Sequence, residues 1–131
     1  MKVTYIHHSS FLVEMEQAAF LFDYFEGELP QVLDKPLIIF SSHRHGDHFS
    51  PVIFDLADQA EQVLYVLSDD IWRKRAPQEL RRQILFLGPE EEASINLPPA
   101  VKVRTFKSTD EGVAFMVECE GKRIYHAGDQ I

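Results

Sequence analysis

The sequence predicts an α/β domain built on a mixed sheet, and three observations predict it. The first segments read as short antiparallel strands. The middle carries short, continuously apolar runs separated by helical patches, and the last third returns to alternating hairpins. In order, "KVTYIH", "SFLVEM" and "AAFLFDYF" form a meander, with a polar turn at 14–17. After the loop "EGELPQVLDK" come "PLIIF", "VLYVL" and "ILFL", rich in branched residues and apolar throughout, which is the texture of strands covered on both faces. Ser50 is placed to cap a helix with Pro51 at its first position, followed by Val52, Ile53, Leu56 and Ala60 at helical spacing. A second patch, "SDDIWRKRAPQELRRQ", begins at Asp69 or Asp70 and breaks at Pro77. Alternation of strand and helix implies a parallel section of sheet. "VKVRTFK", "GVAFMVECE" and "KRIYHA" close the chain as hairpins, with Glu120-Gly121 turning the last of them. Two short helices cover one face of a sheet of about seven to nine strands, so the other face is expected to need cover from a continuation beyond Ile131, a partner chain or a second copy. The continuation is the expected source.

A chain of 131 residues, 45% of them apolar and 26% charged, has the size and composition of one soluble domain spanning 1–131. Its net charge of -8 repels polyanions, which disfavours nucleic-acid and anionic-membrane partners and favours a small-molecule substrate. The local exception, "WRKRAPQELRR", reads as the solvated face of a surface helix. Cys119 is the single cysteine, so no internal disulfide or cysteine-rich zinc module can form. In step with Phe115 and Val117, it reads as a packed strand thiol. No apolar run approaches the roughly 18 residues of a membrane span, and a cytoplasmic protein is expected.

The chemistry gathers in "SSHRHGDHFSP". His43, His45, Asp47 and His48 follow directly on the apolar run 37–40. The C-terminal end of a buried strand is where open α/β sheets place their ligands. Imidazoles with a carboxylate suit zinc, iron or manganese rather than calcium or magnesium. Gly46 is expected to permit the tight backbone there. Near the C-terminus, "IYHAGDQI" places Gly128-Asp129 after another strand. That pair reads either as a turn or as a carboxylate swung into the same site.

His43-x-His45-x-Asp47-His48 after an apolar strand, with Gly128-Asp129 after a later one, resembles the metallo-β-lactamase fold superfamily. The opening "IHHSSFLVEMEQAAFLFD" is similar to the first hairpins of its small-molecule hydrolase branch. The resemblance implies an αββα sandwich, with this chain as about its first half and the domain truncated at its C-terminal end. It implies that His43 and His45 hold a first metal ion, Asp47 and His48 a second, and Asp129 bridges them. Zinc is expected, as one or two ions, with iron or manganese as alternatives. A third histidine of the family's first site has no counterpart in "FKSTDEG", where Asp110 is the strong ligand present, and the family's last histidine would fall after residue 131. His7 and His8 resemble the family's N-terminal histidine near the site, or are strand-end histidines bonded to backbone. His126 reads as structural. Asp23 reads as a carboxylate orienting a loop, supporting the metal loop in the manner of the family.

The function implied is a metal-dependent hydrolase that directs a metal-activated hydroxide at an ester, lactone, thioester or phosphodiester bond. Asp47 is its expected catalytic proton acceptor. The rival expectation is a catalytically incomplete metal-binding or regulatory module, or an inert fragment of a larger hydrolase. The uncovered sheet face also raises the expectation of a homodimer.

Overall fold

The structure, a computed structural model, describes residues 1–31, 34–97, 100–108 and 112–128. Among these, ten strands form two sheets. The first has the order β1 (Lys2–His7), β2 (Ser10–Glu14), β3 (Ala19–Phe22), β4 (Leu37–Ser41), β5 (Val63–Ser68), β6 (Ile84–Leu87). β1, β2 and β3 are antiparallel, whereas β3 to β6 run parallel. The second sheet is antiparallel in the order β10 (Lys122–His126), β9 (Val113–Cys119), β8 (Val101–Lys107), β7 (Glu92–Ile95).

The meander, the three parallel strands and the hairpins lie where the sequence pattern puts them. The single wide sheet does not form. The hairpins make a separate layer that packs on the face expected to be bare, so the cover comes from within the chain. Period-two geometry divides the buried strands between two cores. Phe20, Phe22, Ile38, Phe40 and Val66 point between the sheets to meet Val101, Val103, Val113, Phe115, Val117 and Cys119. Leu21, Ile39, Tyr65 and Leu67 point the other way, onto Phe49, Ile53 and Ile71.

The helical cover on that outer face is 3₁₀ among the described residues: Pro51–Leu56, Arg73–Arg75 and Gln78–Gln83. Ser50 caps the first, its Oγ accepting from Val52 N at 3.3 Å with Pro51 following. Pro77 separates the other two, as the ring requires. β6 departs from its apolar reading: it is an edge strand with only Leu87 buried. Glu120 and Gly121 both take positive φ, +53° and +75°, the two-residue turn suited to a hairpin. The Glu120 carboxylate accepts from Glu16 N and Gln17 N, at 3.1 and 2.9 Å, tying the second sheet to the β2–β3 turn. Burial, with the Glu120 charge adding, pushes the Cys119 thiol up, as befits a packed strand thiol. No helix among the described residues is long and apolar enough to cross a membrane.

Phe40 joins the layers, stacked on Phe22 at 4.8 Å and edge-on to Phe115 at 5.1 Å. Phe40→Ala is expected to cost about 3–5 kcal/mol in urea-melt stability; a loss below about 1 kcal/mol would deny it that place.

Candidate metal centre

Because β3, β4 and β5 are parallel and in register, Phe22 beside Phe40 and Phe40 beside Val66, their C-terminal ends reach one edge of the sheet. Three segments meet there: Asp23 after β3, the His43–His48 loop after β4, and the turn after β5. The loop is tight, with His48 N and Phe49 N both donating to the His45 carbonyl, at 2.9 and 2.8 Å. His43 and His48 are 0% and 2% exposed, His45 is half-buried, and Asp47 is exposed. The His43 ring lies 4.8 Å from that of His48 and 6.2 Å from that of His45.

Asp23 organises this loop. Its carboxylate, 0% exposed, accepts from Ser42 N at 2.7 Å, Ser42 Oγ at 2.6 Å and His48 Nδ1 at 2.8 Å. The Ser42 hydroxyl proton is used on Asp23, so Ser42 Oγ accepts from His43 Nδ1 at 3.0 Å. Both rings are thereby assigned the Nδ1–H tautomer, in which Nε2 carries the lone pair a metal needs. Asp23 itself sits in the left-handed region, φ +49°, while its N–H donates to Phe40 O at 2.8 Å. Aspartate tolerates that conformation better than most residues.

His126 has the opposite assignment. Its Nε2 donates to Ser9 O at 2.7 Å and its Nδ1 accepts from Gly128 N at 3.2 Å, with the ring stacked on Phe22 at 5.0 Å. It is structural, as read from the sequence. His7 pairs with Glu26 at 3.0 Å, and His8, at φ +51°, packs edge-on against His7. His8 lines a cleft of about 480 Å³ with Ser9, Phe22, His126 and Gly128.

The expected role of Gly46 is not needed: it is outside the left-handed region and an added Cβ would meet nothing within 4 Å. The constraint falls on two glycines that flank the second sheet, Gly112 before β9 and Gly128 after β10. At Gly112, φ +83°, a Cβ would lie 2.1 Å from Ser42 O and 2.8 Å from the His43 ring. At Gly128, φ +69°, it would lie 2.6 Å from Val113 O and 3.3 Å from His43 Cε1. Val113 N also donates to Ser42 O at 2.9 Å. His43 is thus enclosed by backbone that only glycine can bring so close. Ser42 and Gly112 were not singled out in the sequence. A polar serine ending an apolar strand just before the histidines was the available signal for Ser42, whereas Gly112 looks like an ordinary turn glycine.

Asp129 and Asp110 lie outside the described residues. Among the described residues, no three His, Cys, Asp or Glu side chains converge as a closed metal cage. The donors present nevertheless fit a transition metal in type and in tautomer. Asp47 Oδ2 stands 3.6 Å from His48 Nε2. Two ligands bonded to one tetrahedral ion at 2.0–2.2 Å are separated by about 3.4 Å.

The chain is thus a two-layer β structure with a histidine-rich loop at the carboxyl edge of parallel strands, anchored by a buried carboxylate. The family described as the beta-lactamase superfamily domain matches residues 2–131, and the chain belongs to it. Two relatives are each 28% identical over 98% of this chain and are named UPF0173 metal-dependent hydrolases. They come from Alkaliphilus metalliredigens and Carboxydothermus hydrogenoformans. The chain spans 63% and 62% of their lengths. A diiron beta-hydroxylase from Streptomyces venezuelae shares the fold at a TM-score of 0.67 and 12% identity, over 98% of this chain and 29% of that one. A possible metal-dependent hydrolase from Veillonella parvula does so at 0.62 and 11%, over 98% and 63%.

Gly112→Ala is expected to destabilise the fold by about 1–3 kcal/mol, and Gly46→Ala to change it by less than about 0.5 kcal/mol, both read from thermal melts. Equal effects would remove the constraint placed on His43.

Proposed function

We propose that this chain carries the metal-binding part of a metal-dependent hydrolase, in which His43, His45, Asp47, His48 and Asp129 hold one or two ions. Zinc comes first, with iron or manganese as alternatives, in keeping with the imidazole-carboxylate donor set. The observation that carries this reading is the Asp23–Ser42–His43 and Asp23–His48 network, which sets two buried imidazoles in the ligating tautomer. The metal-dependent hydrolases named among the relatives support it. A bound ion of this kind supplies Lewis acidity and a nucleophilic water near neutral pH.

The remaining chemistry belongs to the chain. Asp23 restrains the rings of His43 and His48, so the donor nitrogens need little reorganisation. Asp47, its side chain 60% exposed and its Oδ2 3.6 Å from His48 Nε2, would take the proton of the attacking water and return it to the leaving group. The substrate is a small molecule with an ester, lactone, thioester or phosphodiester bond, and the acidic chain disfavours nucleic acid. A cytoplasmic setting belongs to the same proposal. A second reading, a metal-binding module without turnover, rests on the absence of a histidine from "FKSTDEG".

Purified protein is expected to retain one or two zinc, iron or manganese ions per chain by mass spectrometry and to cleave a generic aryl ester or phosphodiester. Asp47→Ala should lower that turnover by about a hundredfold or more. Tight metal without turnover would select the module, and absence of both would overturn the proposal. Asp23→Asn, measured by competition with a chelator, is expected to weaken metal binding by about 10–100-fold with the fold retained.

A further inference from the structure

The basic run at 73–75 is solvent-exposed, as the sequence implies, and it also borders the histidine loop. Its 3₁₀ turn, Arg73–Arg75, follows the carboxyl end of β5 and stands beside the metal loop. Two contacts fix it there. Arg44 N donates to Asp70 Oδ2 at 3.1 Å, and the Arg75 guanidinium lies over the ring of Phe49, the residue after His48, at 4.6 Å. Between them opens a cleft of about 410 Å³, lined by Arg44, His45, Asp70, Trp72, Lys74 and Arg75. That volume suits a small ligand. Three cationic side chains face one carboxylate, on a chain whose net charge is -8. The local charge is therefore opposite in sign to that of the chain, in a cleft whose wall includes a candidate metal ligand, His45. Trp72 is 60% exposed, and Lys74 Nζ is held 4.6 Å from its ring centroid. With the ammonium over one face of the indole, the other face offers a planar surface and the ammonium a charge partner. Arg73 turns away, over Phe86 at 4.5 Å.

We infer that this cleft is a recognition subsite for an oxyanion, carboxylate or phosphate, carried on a planar or aromatic part of the substrate. Lys74 and Arg75 supply the charge and Trp72 the stacking surface, and the scissile bond is directed toward His45. Its place in catalysis rests on the hydrolase proposal; its binding chemistry does not.

Trp72 is the chain's only tryptophan, so its fluorescence reports on this cleft alone. EDTA-treated protein would be titrated with phenyl phosphate, benzoate and neutral benzyl alcohol. Saturable quenching by at least one of the two anions, about tenfold tighter than by benzyl alcohol, is expected. The tighter of the two anions names the oxyanion. Lys74→Glu should weaken anion binding by about tenfold, while Arg82→Glu, the same charge change on the exposed segment Gln78–Gln83, should leave it unaltered. Equal quenching by neutral and anionic ligands, no quenching, or equal effects of the two substitutions would overturn the inference. With metal restored, anion binding without hydrolysis would sink the hydrolase proposal and keep the subsite. Hydrolysis without preference for anionic esters would do the reverse.

Discussion

Asp23 is a carboxylate with no exposed surface that accepts hydrogen bonds from one backbone amide, one hydroxyl and one imidazole of the loop beyond β4. Burying a carboxylate is costly unless each lone pair is used, and charge-assisted bonds of this kind are worth about 1.5–3 kcal/mol each. Those bonds form because β3 and β4 are parallel and in register, Phe22 beside Phe40, which carries Asp23 past the strand end to within reach of Ser42. The same geometry decides where the ring protons of His43 and His48 reside. Strand register thereby becomes ligand chemistry.

The rest of the molecule closes on that arrangement. A column of rings, Phe40 on Phe22 on His126, runs from the inter-sheet core to the strand ends. His126 in turn bonds Ser9, and so fastens the second sheet to the β1–β2 turn. Gly112, just before β9, and Gly128, just after β10, bring backbone from one end of the second sheet against His43. The loop is therefore supported from the first sheet through Asp23 and from the second through glycine. Its open side faces Trp72 and Lys74.

Much of this was legible in the sequence because it follows from local rules. Continuous apolar runs gave the buried parallel strands, Ser50-Pro51 gave a helix start, and a histidine-rich run at a strand end gave the place of the candidate site. What was not legible depends on partners remote in sequence. The alternation in 101–119 says that one face is buried but not which sheet it packs on, so two layers were read as one. The helical patches carry the right spacing but are short and interrupted at Pro77, and they settle into 3₁₀ turns. Glycine requirements arise at close approach, which 46 lacks and 112 has. The basic run is solvent-facing, as its charge implies, but nothing in its own sequence places it beside His45.

The central claim is tautomeric, and nitrogen-15 NMR of the histidine rings in metal-free protein at neutral pH tests it most directly. His43 and His48 should appear with the proton on Nδ1, and His126 with it on Nε2. Finding the proton of His48 or His43 on Nε2 would contradict the role given to Asp23, and with it the account of how this fold prepares a metal site.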